Sequence, residues 1–296
     1  MMAPLSQKTL LITGATGLLG RHALAAWQHS HTLHTLVRTP PANQLPGVTY
    51  HTIDLSTEWD TTGLPNRIDA VLHLAQATHM RDFPARAREI YIINTDSTSR
   101  LLDYAIGAKA QHFIYTSTGG LYAPGNNPLT ELSPIAIQSG PLAHYFATKH
   151  ASELLVNTYT PYMHTIILRP FFMYGHGQRD SMLIPRLITR VKNNEPIILQ
   201  GANGITINPL HVNDAVASLD KALTLRGSHT INIAGPKPIT IRTVAELIGS
   251  ALNQTPRFEL APVTANTLAD ITRMRQLLVA PQVTFADAIT DLCIRA

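Results

Sequence analysis

The chain has 296 residues, enough for one large domain or two smaller ones, and its hydrophobic fraction of 45% excludes a disordered tail. The net charge of +4 arises from few charges of either sign, since charged residues make up only 14% of the chain. The single cysteine, Cys293, excludes an intrachain disulfide, a cysteine zinc site and a CxxC redox pair, and it indicates a reducing compartment.

Nucleic acid, membrane and metal are not expected partners. The basic residues of the second half are spread loosely and have no aromatic stacking platform between them: Arg179, Arg186, Arg190 and Lys192. The stretch Met1 to Lys8 lacks the pattern of a targeting segment, and no window approaches 18 consecutive apolar residues. Three histidines between His29 and His34 have no carboxylates at ligand spacing. We therefore expect a cytoplasmic protein that acts on a small molecule.

Short apolar runs alternate with longer helix-like stretches through the first 170 residues, the pattern of βαβ units on a parallel sheet. The predicted strands are Thr9–Thr13, Thr32–Val37, Val48–Ile53, Ala70–Leu74, His112–Thr116 and Thr165–Leu168. The predicted helices are Gly17–Gln28, Thr95–Ala108 and Tyr145–Thr158. The expected fold is α/β, with a doubly wound parallel sheet of the Rossmann type.

Glycine and proline become frequent after Arg169-Pro170, and the helical patterns become shorter. The helices predicted there are Leu183–Lys192, Asn213–Leu225 and Ile241–Leu252. We predict a dinucleotide-binding domain over residues 1–170 and a smaller α/β substrate lobe over residues 171–296, with segments that return to the first domain.

A glycine-rich turn, Thr13-Gly-Ala-Thr-Gly-Leu-Leu-Gly20, lies between the first predicted strand and the first predicted helix. Gly14 would form the tight turn, Gly17 would let the backbone approach a pyrophosphate, and Gly20 would let the helix pack on the strand. The spacing G-x-x-G-x-x-G differs from the commonest fingerprint, and a tight turn without a ligand is the alternative. Its place in a βαβ unit favours a dinucleotide, held by Gly14, Thr16, Gly17, Leu18 and Leu19.

Tyr145 and Lys149 are four residues apart on a predicted helix and so lie on one face. A phenol is a poor base at neutral pH, but a neighbouring ammonium favours the phenolate and lowers the pKa of the tyrosine. Many solvent-exposed helix faces carry the same spacing, so this pair alone leaves both interpretations open.

Together these segments resemble the extended branch of the short-chain dehydrogenase/reductase superfamily, which includes epimerases, dehydratases and reductases. The other matching segments, in chain order, are Asp54-Leu55, Val71–Ala75, Asn94-Thr95 with Leu101-Leu102, Phe113–Tyr122, Pro128–Glu131, Arg169-Pro170 with Tyr174-Gly175, and His211–Asp214. The resemblance runs over nearly the whole chain.

The resemblance implies an NAD(P)-dependent oxidoreductase or epimerase that moves a hydride to or from a secondary alcohol or ketone of a sugar-like or other small molecule. Thr118, with Ser117 as its competitor, would hydrogen-bond the substrate oxygen; Tyr145 would act as acid and base; and Lys149 would assist it and hold the nicotinamide ribose. The further cofactor contacts implied are Arg38, Asp54, Leu55, Leu74, Ala75, Gln76, Asn94, Thr116, Pro170 and Phe172. The family also suggests a homodimer formed through a helix pair that includes the Tyr145 helix.

The chain departs from the nucleotide-sugar members of this family at the substrate-binding positions. Phe172 replaces their usual asparagine, and Ile207 replaces an arginine that grips the substrate's diphosphate, which predicts weak binding of UDP- and dTDP-sugars. A nucleotide-sugar 4-epimerase or dehydratase is therefore the alternative enzyme. Gly119-Gly120 occupy the places of a dehydratase's Asp-Glu pair. A dinucleotide-binding sensor without turnover is the non-enzyme alternative.

Arg38 bears on the choice of dinucleotide. It falls where an acidic residue would contact the adenosine ribose of NAD, and no Asp or Glu occurs between Gly14 and Asp54. An arginine there can pair with a 2′-phosphate, so the sequence favours NADP(H) over NAD(H). Alternatively, Arg38 stacks on the adenine and NAD still binds.

Overall fold

The structure is a computed structural model that describes residues 7–123, 125, 127–137 and 139–294. The N-terminal prediction concerning Met1 to Lys8 falls mostly on Met1–Ser6, which lie outside the described residues. Within these described ranges, no helix is both long enough and apolar enough to cross a bilayer.

The strands of the first half are β1 Thr9–Thr13, β2 Thr32–Val37, β3 Val48–Thr52, β4 Ala70–His73, β5 His112–Thr116 and β6 His164–Pro170. The later strands are β7 Ile197–Gln200, β8 Thr206–Ile207, β9 His229–Ile233, β10 Ile239–Thr240 and β11 Phe258–Ala261. Seven of them form one sheet in the order β3-β2-β1-β4-β5-β6-β9, and the pairs from β3 to β6 are parallel. An order that reverses at β1 is that of a doubly wound sheet, so the predicted fold class is confirmed.

The helices are α1 Leu18–Trp27, α2 Ala87–Tyr91, α3 Ser97–Gly107, α4 Ala143–Thr158, α5 Leu183–Lys192, α6 Val212–Ala222, α7 Ile241–Leu252, α8 Thr272–Leu277 and α9 Phe285–Ile294. A π-helical segment, Ile92–Asp96, joins α2 to α3, and a 3₁₀ turn spans Gly119–Leu121. Every residue of β4 and β5 is buried. Strands covered on both faces read as continuous apolar runs, which is why these two were recognisable in the sequence.

The chain divides into two compact units. The first runs as far as Leu121 and also takes in Ala136–Arg169 and Leu219–Ile231; the second takes in Tyr122–Ile135, Pro170–Ser218 and the chain from Asn232 onward. In the first unit, one face of the sheet packs under α3 and α4 in a core that includes Val71, Phe113 and Leu101. The second unit has its own core, which joins α5, α7 and α9.

Four predicted helices have different bounds in the structure; for α1 and α4 the difference is one or two residues at an end. The helix expected from Thr95 is α3, and helical backbone already begins at Ala87, through α2 and the π-helical segment, where Ile90 is fully buried against Tyr145, a tertiary contact that the local pattern does not show. The helix expected over Asn213–Leu225 is α6, which starts at Val212 and ends at Ala222. The chain after α7 carried no sequence prediction and contains β11, α8 and α9.

Candidate active site

The predicted cofactor residues of the first unit follow successive strands of the parallel sheet. They stand just after the strand ends: Gly14 after β1, Arg38 after β2, Asp54 and Leu55 after β3, Leu74 to Gln76 after β4, and Thr118 after β5. Because the carboxyl ends of parallel strands meet at one edge of a sheet, the fold brings these segments together.

The glycine-rich turn is packed too tightly for side chains at two of its positions. Gly14 has φ +71°, and a Cβ there would lie 2.7 Å from the Ala75 nitrogen and from the Leu74 carbonyl carbon. A Cβ on Gly20 would overlap the backbone of Gly14 and Ala15. The turn is closed by a hydrogen bond from Gly17 N to Gly14 O, 2.9 Å. Only glycine fits Gly14 and Gly20, and the backbone shape that the motif predicted is present.

Gly17 is the N-cap of α1 and has no side chain to accept from the N–H groups of the first turn, which contains no acidic residue. An uncapped helix start with this polarity suits an anion. Thr16 is exposed on the turn, Leu18 is half-buried, and the Leu19 side chain lies in the core, so any ligand contact of Leu19 would come from its backbone.

A buried histidine contacts the first residue of the glycine-rich turn. His73, at the end of β4, lies 2.7 Å (Nδ1) from Thr13 Oγ1 and 3.1 Å (Nε2) from Thr98 Oγ1. The Thr98 hydroxyl donates to Asn94 O, so Nε2 carries the ring proton and Nδ1 accepts from Thr13, whose oxygen accepts in turn from Ala75 N at 3.2 Å. Burial, with a smaller contribution from Lys149, lowers the pKa of His73 to about 3. The imidazole is therefore neutral and links the ends of β1 and β4 to α3.

Tyr145 lies on α4 and is 5% exposed. Its hydroxyl donates to Gln76 Oε1 at 2.8 Å. Burial raises the pKa of Tyr145, while the polar side chain of Thr118 lowers it. Thr118 is half-buried, and its oxygen accepts from Gly120 N at 3.1 Å. The Ser117 hydroxyl, by contrast, is buried and has no hydrogen-bond partner among the residues described. Thr118 thus influences the acidity of the tyrosine, and its role as the catalytic hydroxyl stays a prediction.

Lys149 is 1% exposed and donates from Nζ to Thr116 O at 2.7 Å. Its ammonium also lies 4.8 Å from the centre of the Tyr115 ring. Burial lowers the pKa of Lys149 to about 7, and the charge of Glu153 opposes the shift. The lysine is thus held one helical turn from Tyr145, and its charge changes within the physiological pH range.

A buried ion pair that the sequence analysis missed stands beside Lys149. Arg169, at the end of β6, donates from Nε to Glu153 Oε1 at 2.8 Å and from Nη2 to Oε2 at 2.5 Å. Both side chains are almost fully buried. This bidentate ion pair connects α4 to β6. The i, i+4 spacing of Lys149 and Glu153 is the local signal that could have drawn attention to Glu153.

Asn94, predicted as a cofactor contact, is fully buried in the π-helical segment. Its side chain accepts from Ala77 N at 2.9 Å and donates to Thr148 Oγ1 at 2.9 Å. In this structure Asn94 therefore connects the chain after β4 to α4, and its contact with a cofactor stays a prediction.

On the adenosine side of the predicted site, Arg38 is exposed at the end of β2. Asp54 accepts from the N–H and the hydroxyl of Ser56 at 2.9 and 2.8 Å, which fixes a local turn. Leu55 lies in the core of the first unit. The Thr116 carbonyl accepts from Lys149, so the role of Thr116 in the observed contacts is to hold the lysine.

The predicted residues of the second unit are apolar and packed. Pro170 and Phe172 are half-buried, and Phe172 has φ +44°, a left-handed conformation that is uncommon for a bulky side chain. Ile207 lies on β8, fully buried in the core of this unit. Neither side chain supplies a polar group for a diphosphate.

Gly120 has a steric reason to be glycine. A Cβ at this position would overlap the ring of Phe146 on α4. A larger side chain at this position would require the half-buried Phe146 ring to move.

Proteins of known name and structure resemble this chain over almost its full length. An uncharacterized UDP-glucose epimerase of Bacillus subtilis, YtcB, is 27% identical over 95% of this chain and 96% of its own. The structure of MoeE5 with UDP-glucuronic acid and NAD superposes with a TM-score of 0.83 at 23% identity, covering 97% of this chain and 98% of that one. The structure of UDP-glucuronic acid 4-epimerase from Bacillus cereus with NAD superposes with a TM-score of 0.83 at 22% identity, covering 97% of this chain and 96% of that one.

The expectation of NADP(H) over NAD(H) is wrong. The similar structures were crystallised with NAD. The expectation rested on Arg38 and on the absence of a nearby acidic residue, but an exposed arginine at the end of β2 does not require a 2′-phosphate as its partner. A planar guanidinium can stack on an adenine instead, the alternative that the sequence left open.

The protein-family model described as the NAD dependent epimerase/dehydratase family matches residues 10–234, well over half of the chain. This match confirms the resemblance to the extended short-chain dehydrogenases/reductases and the predicted enzyme class, since the family consists of NAD-dependent epimerases and dehydratases. The chain belongs to the NAD dependent epimerase/dehydratase family.

Proposed function

We propose that this protein is an NAD-dependent enzyme that oxidises a secondary alcohol of a nucleotide sugar and reduces the resulting ketone again, inverting one sugar carbon. The carrying observation is the buried Tyr145, whose pKa Thr118 lowers and whose helix, α4, holds the buried Lys149 one turn further along. A sensor that binds a dinucleotide without turnover has no need of this arrangement, which therefore favours catalysis.

Tyr145, Thr118 and Lys149 have separate roles in the proposed proton transfer. Tyr145 takes the proton of the substrate hydroxyl and returns it, and Thr118 donates a hydrogen bond to the substrate oxygen. Because burial raises the pKa of Tyr145, its neighbours must favour the phenolate. The polar side chain of Thr118 and the positive charge of Lys149 both do so. The charged form of Lys149 is lost as the pH rises above about 7.

The glycine-rich turn fits NAD. Its backbone at Gly14 leaves no room for a Cβ, and α1 starts at an N-cap without a side chain. The first-turn N–H groups and the positive end of the helix suit a pyrophosphate. When bound, NAD accepts and returns the hydride. Gly14, Gly17 and the segment Leu74 to Gln76 would hold it, with Arg38 beside the adenosine.

A nucleotide sugar is favoured as the substrate by the names of the relatives. They include a UDP-glucuronate 4-epimerase of Thermodesulfobacterium geofontis, 27% identical over 71% of this chain and 67% of its own. Within that class, epimerisation is favoured over dehydration because Gly119-Gly120 occupy the places of a dehydratase's acidic pair, and a side chain at Gly120 would have to displace Phe146. With Phe172 and Ile207 at the two anchoring positions, we expect weaker binding than an arginine clamp would give.

The substrate class can be tested directly with the NAD-loaded protein. UDP-glucose, UDP-glucuronate, UDP-N-acetylglucosamine and dTDP-glucose are incubated with it in turn, and the products are separated by anion exchange and identified by NMR. The proposal expects one of them to yield its 4-epimer with no net formation of NADH. Reduction of simple ketones by NADH without any epimer would favour the plain oxidoreductase. Tight NAD binding with no turnover on either panel would contradict the enzyme proposal.

We also propose a homodimer formed by α2 and α4, which pack together in the first unit. The family resemblance supports this helix pair, and Tyr91 and Leu154, 50% and 57% exposed, are the large apolar side chains that the two helices present to solvent. Light scattering should find a dimer for the wild type and a monomer for Leu154→Asp. Leu260→Asp, on an exposed position of β11, is the matched control and should leave the mass unchanged.

A further inference from the structure

Gln76 contacts the atom that carries the proton in the proposed chemistry. Its side chain is exposed, yet its Oε1 accepts the Tyr145 hydroxyl hydrogen at 2.8 Å. The phenol oxygen carries a single hydrogen, and in this structure that hydrogen is directed at Gln76 Oε1. The hydroxyl must therefore turn its hydrogen away from Gln76 before it can pass the proton to a substrate.

A carboxamide suits this place because it offers both an acceptor and a donor. Its oxygen can accept from the neutral phenol, and its NH₂ group can donate to the phenolate after rotation about the terminal torsion, which has a broad, roughly two-fold profile. A carboxylate in the same position could only accept when ionised. A thioether of the same length could do neither effectively.

The surroundings of Tyr145 leave a role for a side chain that donates to its phenolate. Tyr145 is nearly fully buried, and burial disfavours the phenolate. Lys149 donates to the Thr116 carbonyl rather than to the phenol. Among the described residues, Gln76 is thus the side chain hydrogen-bonded to the hydroxyl, and Thr118 is a neighbour that favours the phenolate.

We propose that Gln76 is a positioning residue that follows the protonation state of Tyr145: its amide oxygen accepts from the phenol, and its amide nitrogen donates to the phenolate once the proton has passed to the substrate. This inference rests on the proposed function, in which Tyr145 exchanges a proton with the substrate hydroxyl. It assigns to Gln76 a role in setting the acidity of the tyrosine as well as its predicted contact with the cofactor.

The test follows the ionisation of Tyr145 itself in the NAD-loaded protein. The ultraviolet absorbance of phenolate is titrated against pH for wild type, Gln76→Met and Gln76→Glu. Because the chain has 9 tyrosines, each protein is also titrated with Tyr145→Phe added, and the difference between the two curves gives the ionisation of Tyr145. We expect Gln76→Met to raise the pKa of Tyr145 by about one unit, the scale of one hydrogen bond to a charged group. Gln76→Glu should raise the pKa of Tyr145 further, because the introduced carboxylate and the phenolate repel each other.

Three further measurements separate this role from a structural one. The pH profile of kcat/KM should shift in the same direction as the titration for each Gln76 variant. Thermal unfolding should be unchanged, since the side chain is exposed. Gln111→Met, an exposed glutamine at the start of β5, should change neither the titration nor the profile.

Equal titration curves for wild type, Gln76→Met and Gln76→Glu would overturn the inference, as would a lower pKa of Tyr145 in Gln76→Glu. This outcome is distinct from failure of the proposed function. The titration needs no turnover, whereas the proposed function fails if none of the nucleotide sugars is converted, whatever the titration shows.

Discussion

The polar side chains at the carboxyl edge of the first unit form one continuous set of hydrogen bonds. It runs from Thr13 through His73 and Thr98 to Asn94, which in turn reaches α4. In the second unit, Phe172 and Ile207 stand at the positions where the sequence resemblance predicts polar substrate anchors, and Ile207 is fully buried in an apolar core. The residues predicted for proton transfer thus belong to a hydrogen-bonded polar region, whereas the two predicted anchoring positions are apolar.

The largest expected effect tests the catalytic side of this contrast. Tyr145→Phe should lower kcat by about 10²–10⁴-fold, the usual contribution of a general acid–base group. Affinity for NAD should stay nearly unchanged, because the ring still packs against Ile90. Steady-state kinetics and a fluorescence titration with NAD measure the two quantities.

Tyr162→Phe is the matched control for this substitution, since Tyr162 is 73% exposed. It should behave as wild type. A Tyr145→Phe enzyme with more than half of the wild-type rate would remove the tyrosine from the proposed mechanism.

The ion pair beside Lys149 tests whether the first unit depends on its buried polar contacts. Arg169→Met leaves the Glu153 carboxylate buried without its partner and should lower the free energy of unfolding by about 3–5 kcal/mol. Urea unfolding measures the change. The double variant Glu153→Leu with Arg169→Met should recover much of the loss, because replacing both charges by apolar groups is often close to neutral. No recovery would show that the pair itself, and not the orphaned charge, supports the fold.

The buried Lys149 should make stability depend on pH. The folded pKa is about 7 because of burial, against 10.5 for an ordinary lysine, so between these values the unfolded chain holds a proton that the folded chain has released. The free energy of unfolding of the cofactor-free protein should therefore rise with pH across this window, by at most about 1.4 kcal/mol per pH unit. Lys149→Met removes this contribution, so the wild-type minus variant difference should climb from pH 7 to 10. A flat difference would contradict the lowered pKa.

The smallest expected effect concerns the second unit. Phe172→Asn restores an amide at a backbone position, φ +44°, that asparagine tolerates better than phenylalanine. We expect UDP to bind up to about tenfold more tightly, the worth of 1.4 kcal/mol. Calorimetry on the NAD-loaded protein measures it. Phe172→Leu removes the ring without adding an amide and should not tighten binding, and equal gains in both variants would remove the amide as the cause.

The strands of the first unit could be predicted almost to the residue, because buried parallel strands such as β4 and β5 are short apolar runs with sharp ends. The early start of the helix at Ala87 could not, because it depends on the packing of Ile90 against a tyrosine far along the chain. The short strands β8 and β10 have two residues each, too few for any period.

The residues of the candidate site likewise fall into two groups, those that local motifs predict and those that they do not. Gly14, Tyr145 and Lys149 belong to local motifs with a fixed spacing, so the sequence alone indicated them. The hydrogen bond between Gln76 and Tyr145 joins residues 69 apart, and the Glu153–Arg169 pair joins a helix to a strand. No local pattern predicts such contacts, because only the folded sheet brings their partners together.

The contact between Gly120 and Phe146 constrains how this enzyme could change its chemistry during evolution. Acidic residues placed after Thr118 would move the site towards a dehydratase, but any side chain at Gly120 meets the Phe146 ring. A side chain at position 120 would therefore have to displace the half-buried Phe146 ring, which packs beside Tyr145. Substitutions at positions 120 and 146 should consequently be coupled.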